Sequence, residues 1–156
     1  MSKSVTGSST AIARTKASAP ARRLFKAGLL KGRCLDYGCG RGKDADTFGM
    51  EKYDPAFYSK NPRGKFNTIT CTYVLNVVKP VDMPRILRSI QGLLVPGGRA
   101  YITVRRDIKA SQPGKGVTQR LVTLANTEVV WENKQYCTYI LEDQAKMKAV
   151  KRSPTG

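Results

Sequence analysis

The stretch Leu35-Asp36-Tyr37-Gly38-Cys39-Gly40-Arg41-Gly42 decides how this chain is read. Arg33 to Tyr37 reads as a short buried strand. Glycines at 38, 40 and 42 then let the chain turn sharply and bring backbone close to a ligand, where a side chain would collide. Eighteen residues beyond Asp36 a second carboxylate, Asp54, ends another short extended segment in Tyr53-Asp54-Pro55. A glycine loop after one strand and an acid after the next suits a nucleotide-type ligand, with backbone against the ligand and a carboxylate on its ribose hydroxyls. The plainer alternative is a glycine turn that only closes a strand–helix corner.

Two phosphate-binding patterns are absent. G-x-G-x-x-G fails because Lys43 stands where the third glycine belongs, and no G-x-x-x-x-G-K-[ST] occurs. The pattern Leu-Asp-x-Gly-Cys-Gly-x-Gly instead resembles motif I of the class I S-adenosylmethionine-dependent methyltransferases. Phe66 to Val77, an apolar β-branched run ending in polar groups, suits a buried parallel strand whose carboxyl end faces a crevice, and it resembles motif IV. Asp82 is placed to cap a helix with Pro84 in its first turn, and Met83, Ile86, Leu87, Ile90, Leu93 and Leu94 share one helical face. Pro96-Gly97-Gly98 is expected to stop that helix before a strand from Arg99 to Val104. Val117 to Leu124, Glu128 to Glu132 and Gln135 to Leu141 read as extended, the last two forming a hairpin at Asn133-Lys134.

The resemblance covers about residues 20 to 141. It implies a single α/β domain of Rossmann-like type: a mostly parallel twisted sheet, flanking helices and a C-terminal antiparallel hairpin. Within the superfamily the chain is most similar to a compact group found in phages and bacteria. That similarity rests on Thr10 to Arg14, Ser18-Ala19-Pro20, Gly40 to Asp46, Lys52-Tyr53-Asp54-Pro55, Val104 to Asp107 and Thr118-Gln119-Arg120. The implied cofactor is S-adenosyl-L-methionine, held by Asp36, Tyr37, Gly38, Cys39, Gly40, Gly42, Asp54, Pro55 and Tyr73. One departure stands out: about ten residues separate Gly42 from Tyr53, room for a single helical turn. Something else must steady the glycine loop, and the N-terminal segment is the candidate.

At 156 residues the chain has the length of one domain, small for a methyltransferase, so substrate recognition falls to tails and loops. The expected division is a flexible basic segment at 1–19, the methyltransferase domain at 20–143 and a basic tail at 144–156. Cys34, Cys39, Cys71 and Cys137 show no C-x-x-C spacing and read as free thiols in a reducing cytosol, bacterial or phage-infected. With no histidine and no clustered thiols, a metal site is not expected. No run approaches a membrane span, and Met1 to Ala19 lacks the apolar core of a signal peptide, although its Arg, Ser and Ala content also resembles a mitochondrial transit peptide.

Charge is the second informative feature. Eight basic and no acidic residues precede Asp36, and four basic residues follow Asp143, whereas 36–143 holds sixteen basic against eleven acidic. Flexible basic ends draw polyanions by counterion release, which makes nucleic acid, DNA or RNA, the leading partner; a tail that only aids solubility is the alternative. Methyl transfer is an in-line displacement at a sulfonium, so the protein mainly holds the acceptor in line and excludes water. Tyr73 and Asn76, after the fourth strand in the family's count, are the candidate catalytic residues that orient the acceptor, or else simply cap a strand end. Arg105, Arg106 and Arg120 are candidates for phosphate or acidic substrate, or else solvated surface charges. The Asn/Asp-Pro-Pro-Tyr/Phe motif of DNA amino-methyltransferases and the Pro-Cys nucleophile of cytosine carbon methylation are both missing. The expected function is methylation of nucleic acid. The alternatives are a small acidic metabolite, a basic protein (disfavoured because the chain is itself basic), or a catalytically silent cofactor- or nucleic-acid-binding protein.

Overall fold

The computed structural model describes residues 15–108 and 119–143. Six strands form one mixed sheet: β1 Cys34–Tyr37, β2 Glu51–Tyr53, β3 Phe66–Thr72, β4 Leu94–Arg105, β5 Val129–Glu132 and β6 Tyr136–Glu142, in the spatial order β2-β1-β3-β4-β6-β5. The β2-β1, β1-β3 and β3-β4 pairs are parallel, and β6 runs antiparallel to both β4 and β5. This is the expected α/β architecture with its C-terminal hairpin. Asn133 makes that hairpin by accepting the N–H groups of Gln135 and Tyr136 on its Oδ1, both at 2.8 Å.

Strand alternation sorts the two faces. Leu35, Ile69, Cys71, Ala100, Ile102, Val104, Cys137, Tyr139 and Leu141 bury one face under helix α3 (Met83–Gly92), which contributes Ile86 and Ile90. The other face carries Asp36, Thr68, Thr70, Thr103 and Thr138, and the Thr103 and Thr138 hydroxyls bond each other at 2.8 Å. Helix α1 (Ala19–Lys26) and the six-residue α2 (Lys43–Phe48) lie on this second side, α1 burying Ala21 and Leu24. No helix is expected at α1 from the apolar pattern, although Ser18-Ala19-Pro20 carries its start signal: the Ser18 hydroxyl accepts from Ala21 N at 3.3 Å, with proline in the first turn.

Several expectations are corrected in detail. Asp82 makes no capping hydrogen bond, because it closes a 3₁₀ turn over Pro80–Asp82 and already has helical backbone angles; it pairs instead with Arg85 at 3.5 Å. α3 ends at Gly92, and Pro96-Gly97-Gly98 lies inside β4, not in a turn before it. There the register jumps from Phe66↔Leu94 to Thr68↔Arg99, so four residues oppose one, and Gly97 N donates to the buried Asp143 at 3.0 Å. β3 stops at Thr72 because Tyr73 turns into the left-handed region at φ 63. Residues 119–124 form no strand, and Val117 and Thr118 lie outside the described residues. So do 1–14 and 144–156, whereas Ala17 and Ser18, assigned to the flexible segment, are buried. Cys34, Cys71 and Cys137 are buried free thiols; Cys39 is half-buried.

Gly98 has an ordinary backbone conformation, yet a Cβ there would lie 2.9, 3.1 and 3.2 Å from the carbonyl oxygens of Val95, Phe66 and Asn67. Backbone atoms on three sides cannot yield as a side chain would. Gly98→Ala is therefore expected to lower stability by about 1–3 kcal/mol, read from the midpoint of urea unfolding.

Candidate active site

The glycine loop hangs from the end of β2. Gly38 N and Cys39 N both donate to Tyr53 O, at 2.7 and 3.0 Å, and Gly40 N donates to Asp54 Oδ2 at 2.8 Å. The other oxygen of Asp54 accepts Ala56 N at 2.8 Å and Phe57 N at 3.3 Å, and a two-way backbone bridge between Asp54 and Tyr58 closes this turn around Pro55. One buried carboxylate thus organises two loops and, with three of its about four lone-pair sites used, keeps one on Oδ2 for a ligand hydroxyl. Gly38, Gly40 and Gly42 have φ of 83, 56 and 90, which explains their glycines directly. Gly38 has a second reason, because a Cβ would collide with the Val74 side chain from the loop after β3.

Electrostatics favour a cation here. Asp36, fully buried at the end of β1, accepts the Thr70 hydroxyl at 2.9 Å. Its carboxyl is pushed up to about 7, first by burial and then by the neighbouring Asp44 carboxylate, with Asp54 adding a little and Thr70 opposing. Cys39 is pushed up to about 12 by burial and by Asp36 and Asp54. The neighbouring carboxylates make Asp36 and Cys39 hold their protons more tightly, and they equally attract a cationic ligand. The thiol beside them stays neutral.

The expected steadying element is present. Asp44, in the first turn of α2, accepts Ser18 N at 2.7 Å and Ser18 Oγ at 2.6 Å. The residue that starts α1 is therefore pinned two positions beyond Gly42. Neither Ser18 nor Asp44 stands out in the sequence as a site residue; the helix-start signal at Ser18 marks the position without revealing its partner.

The structure separates the remaining candidates. Tyr73 follows β3 directly, its N–H bonded to Thr103 O at 2.8 Å and the Arg105 guanidinium 6.0 Å from its ring centre, and Val74 ties it to Gly38. Asn76 is fully buried, and its amide is engaged at both ends: Nδ2 donates to Arg120 O and Oδ1 accepts Arg105 N, each at 2.8 Å. Arg106 turns to Glu132, the Tyr139 hydroxyl and Val122 O at 2.9, 2.9 and 2.5 Å. Arg120 grips the carbonyls of Leu75 and Val78. Arg105 pairs with Asp107 at 2.9 Å and reaches Gln119 at 3.3 Å, about a third of its side chain exposed.

A family described as a methyltransferase domain matches residues 10–120, and the chain belongs to it. No curated protein matches the sequence. Among solved structures, one from work on the conversion of a disulfide bond into a thioacetal group during echinomycin biosynthesis has a TM-score of 0.57 at 14% identity, over 90% of this chain and 89% of that one. DhpI in complex with SAH gives 0.56 at 14% identity, over 81% and 84%. The 1,6-didemethyltoxoflavin-N1-methyltransferase of Burkholderia thailandensis, with its substrate and S-adenosylhomocysteine, gives 0.51 at 19% identity, over 78% and 76%. No helix among the described residues is long and apolar enough to cross a membrane.

Asp36 yields a prediction with a definite sign. Its folded pKa is above the unfolded one, so the folded state binds this proton more tightly, and stability is lost as pH rises from about 3.8 to about 7. Asp36→Asn removes that loss while keeping an acceptor for Thr70. Without ligand, the variant is expected to melt above the parent at pH 8, with a smaller gap at pH 5, by differential scanning calorimetry.

Proposed function

We propose that this methyltransferase transfers the methyl group of S-adenosyl-L-methionine to nucleic acid, with residues 36–42, Asp54 and Pro55 holding the cofactor and Tyr73 facing the acceptor. The observation that carries the cofactor assignment is Asp54: a carboxylate at the end of β2, fixed by Gly40 N, with acceptor capacity left for a ribose hydroxyl. The cofactor supplies an activated methyl on a sulfonium sulfur. Asp36, Asp44 and Asp54 make the surroundings negative, which favours that cation, and Cys39 stays a thiol and so does not compete as a nucleophile. Tyr37, at the strand end, packs against Tyr53 with ring centres 4.8 Å apart and planes tilted by 42°, and both rings rest on the core beneath the glycine loop.

Tyr73 is the acceptor-orienting residue of the pair read from sequence. Asn76 becomes a positioning residue, since both its amide atoms hold neighbouring chain. Arg106 and Arg120 brace the same edge, and Arg105 is the arginine best placed to meet a phosphate. Support for nucleic acid as acceptor comes from the twelve basic and no acidic residues outside 36–143. A second reading, a small-molecule acceptor, is favoured by the fold likeness to the toxoflavin-pathway N1-methyltransferase. Methyl transfer from tritiated cofactor to pooled DNA, RNA, protein and metabolite fractions separates the two: label in nucleic acid supports the first, and label only in metabolites replaces it.

Two further outcomes are expected. Asp54→Ala loses charge-assisted hydrogen bonds worth about 1.5–3 kcal/mol each, so S-adenosylmethionine affinity by calorimetry should fall at least tenfold. Unchanged binding would remove Asp54 from the site. Deleting the residues before Ser18 removes Lys3, Arg14 and Lys16 while keeping the Ser18–Asp44 bonds. The slope of log affinity against log salt for DNA should then shrink by about 2–3 units, at about 0.7–0.9 for each phosphate no longer neutralised.

A further inference from the structure

Helix α1 carries a feature that neither the core nor the cleft requires. Phe25 is 57% exposed, yet one face of its ring stacks on Phe48, centres 4.8 Å apart and planes 25° from parallel. Phe48 is itself seated on a small cluster of Cys34, Ala45 and Met50, so the stack has a rigid base. The opposite face of Phe25 looks outward. Arg22 lies one helical turn before Phe25, on the ring's side of α1, and Lys26 lies one turn beyond Arg22. Lys31 follows in the next loop, no acid occurs in the sequence before Asp36, and among the described residues no ion pair neutralises Arg22, Lys26 or Lys31. On the other flank Arg23 is covered by the Trp131 ring at 4.3 Å, which fixes the helix against β5.

We propose that Phe25, with Arg22 and Lys26, is a stacking platform for single-stranded nucleic acid. An unpaired base has an apolar face to lay on the ring and a phosphate for each flanking cation, whereas in a duplex the base faces are hidden. α1 also runs away from the site: Ser18 is pinned at the glycine loop, and Phe25 lies seven residues further along, about 10 Å at 1.5 Å per residue. A ligand that reaches the crevice and covers Phe25 as well has to be a chain. The platform thus deepens the nucleic-acid reading and rests on it, giving that acceptor a strandedness.

The test is fluorescence anisotropy of the full chain with a labelled 20-nucleotide oligo(dT) and with a duplex of the same length, across salt. Phe25→Ala should weaken oligo(dT) binding roughly 5- to 100-fold with the salt slope unchanged. Duplex binding should move less than twofold. Phe25→Trp should restore the affinity, while Arg22→Gln with Lys26→Gln should reduce the slope by about 0.7 per phosphate. Circular dichroism of each variant should match the parent, as an exposed ring allows. Parent-like oligo(dT) affinity in Phe25→Ala overturns the platform but leaves the nucleic-acid reading standing; a parent that binds neither oligonucleotide overturns both. Loss of self-association by sedimentation, with oligo(dT) binding unchanged, would make a second copy of the chain the occupant and overturn the proposal.

Discussion

The loop that follows β1 has almost no fixed shape of its own; its shape is imposed by β2. Three successive amides, Gly38, Cys39 and Gly40, donate to groups at the end of that neighbour, the first two to the Tyr53 carbonyl and the third to the Asp54 carboxylate. This requires β1 and β2 to be parallel and in register, Tyr37 opposite Tyr53, so that both strands end at one edge. β3 closes the other side, where Val74 fills the space that Gly38 leaves by lacking a side chain. Sheet order, glycine positions and the place of Asp54 are therefore one constraint. Altering any of them reshapes the cleft before it touches a ligand.

The same edge concentrates unfavourable charge. A buried carboxyl with two other carboxylates nearby resists ionisation, and the Thr70 hydroxyl offsets only part of that. A fold optimised for stability alone would place an apolar residue at 36, as it does at 35. An aspartate at 36 is understandable if a cation binds there, since the cation relieves the repulsion among these carboxylates. The strained backbone at Tyr73 belongs to the same pattern: a bulky residue at φ 63 persists because Thr103, Val74 and the Asn76 amide hold the chain on either side.

What the sequence disclosed, and what it did not, divides by the range of the interaction. The glycine loop, the apolar strands and the Asn133 hairpin are local patterns, and each lies close to its expected place. The Asp82 cap fails because a cap needs extended backbone at that residue, and the preceding proline turn has already made it helical. The Pro96-Gly97-Gly98 turn fails because a buried carboxylate 46 residues later, Asp143, satisfies the irregular backbone within a strand. Asn76, Arg106 and Arg120 have the right chemistry for a ligand site. Their partners, however, lie 29 and 44, 16 to 33 and 37 to 45 residues away along the chain, and no spacing rule finds those. Polar residues at a crevice edge look alike in sequence whether they face a ligand or brace the wall.

The shortness of the segment between β1 and β2 shapes the rest of the molecule. A six-residue helix contributes little stability alone, and its first residue follows a glycine that offers no side-chain cap. Ser18 supplies the missing support through two bonds to Asp44, and in the same position it starts α1. The start of α1 is thereby joined to the glycine loop. Asp44 also raises the cost of ionising Asp36, so one carboxylate holds the anchor of α1 and acts electrostatically on the end of β1. A ligand that shifts α1 would therefore act on the glycine loop through the Ser18–Asp44 bonds. By linkage the reverse change would be equal: a polymer bound along α1 and a cofactor bound at the glycine loop, as proposed, would influence each other's affinity by the same factor.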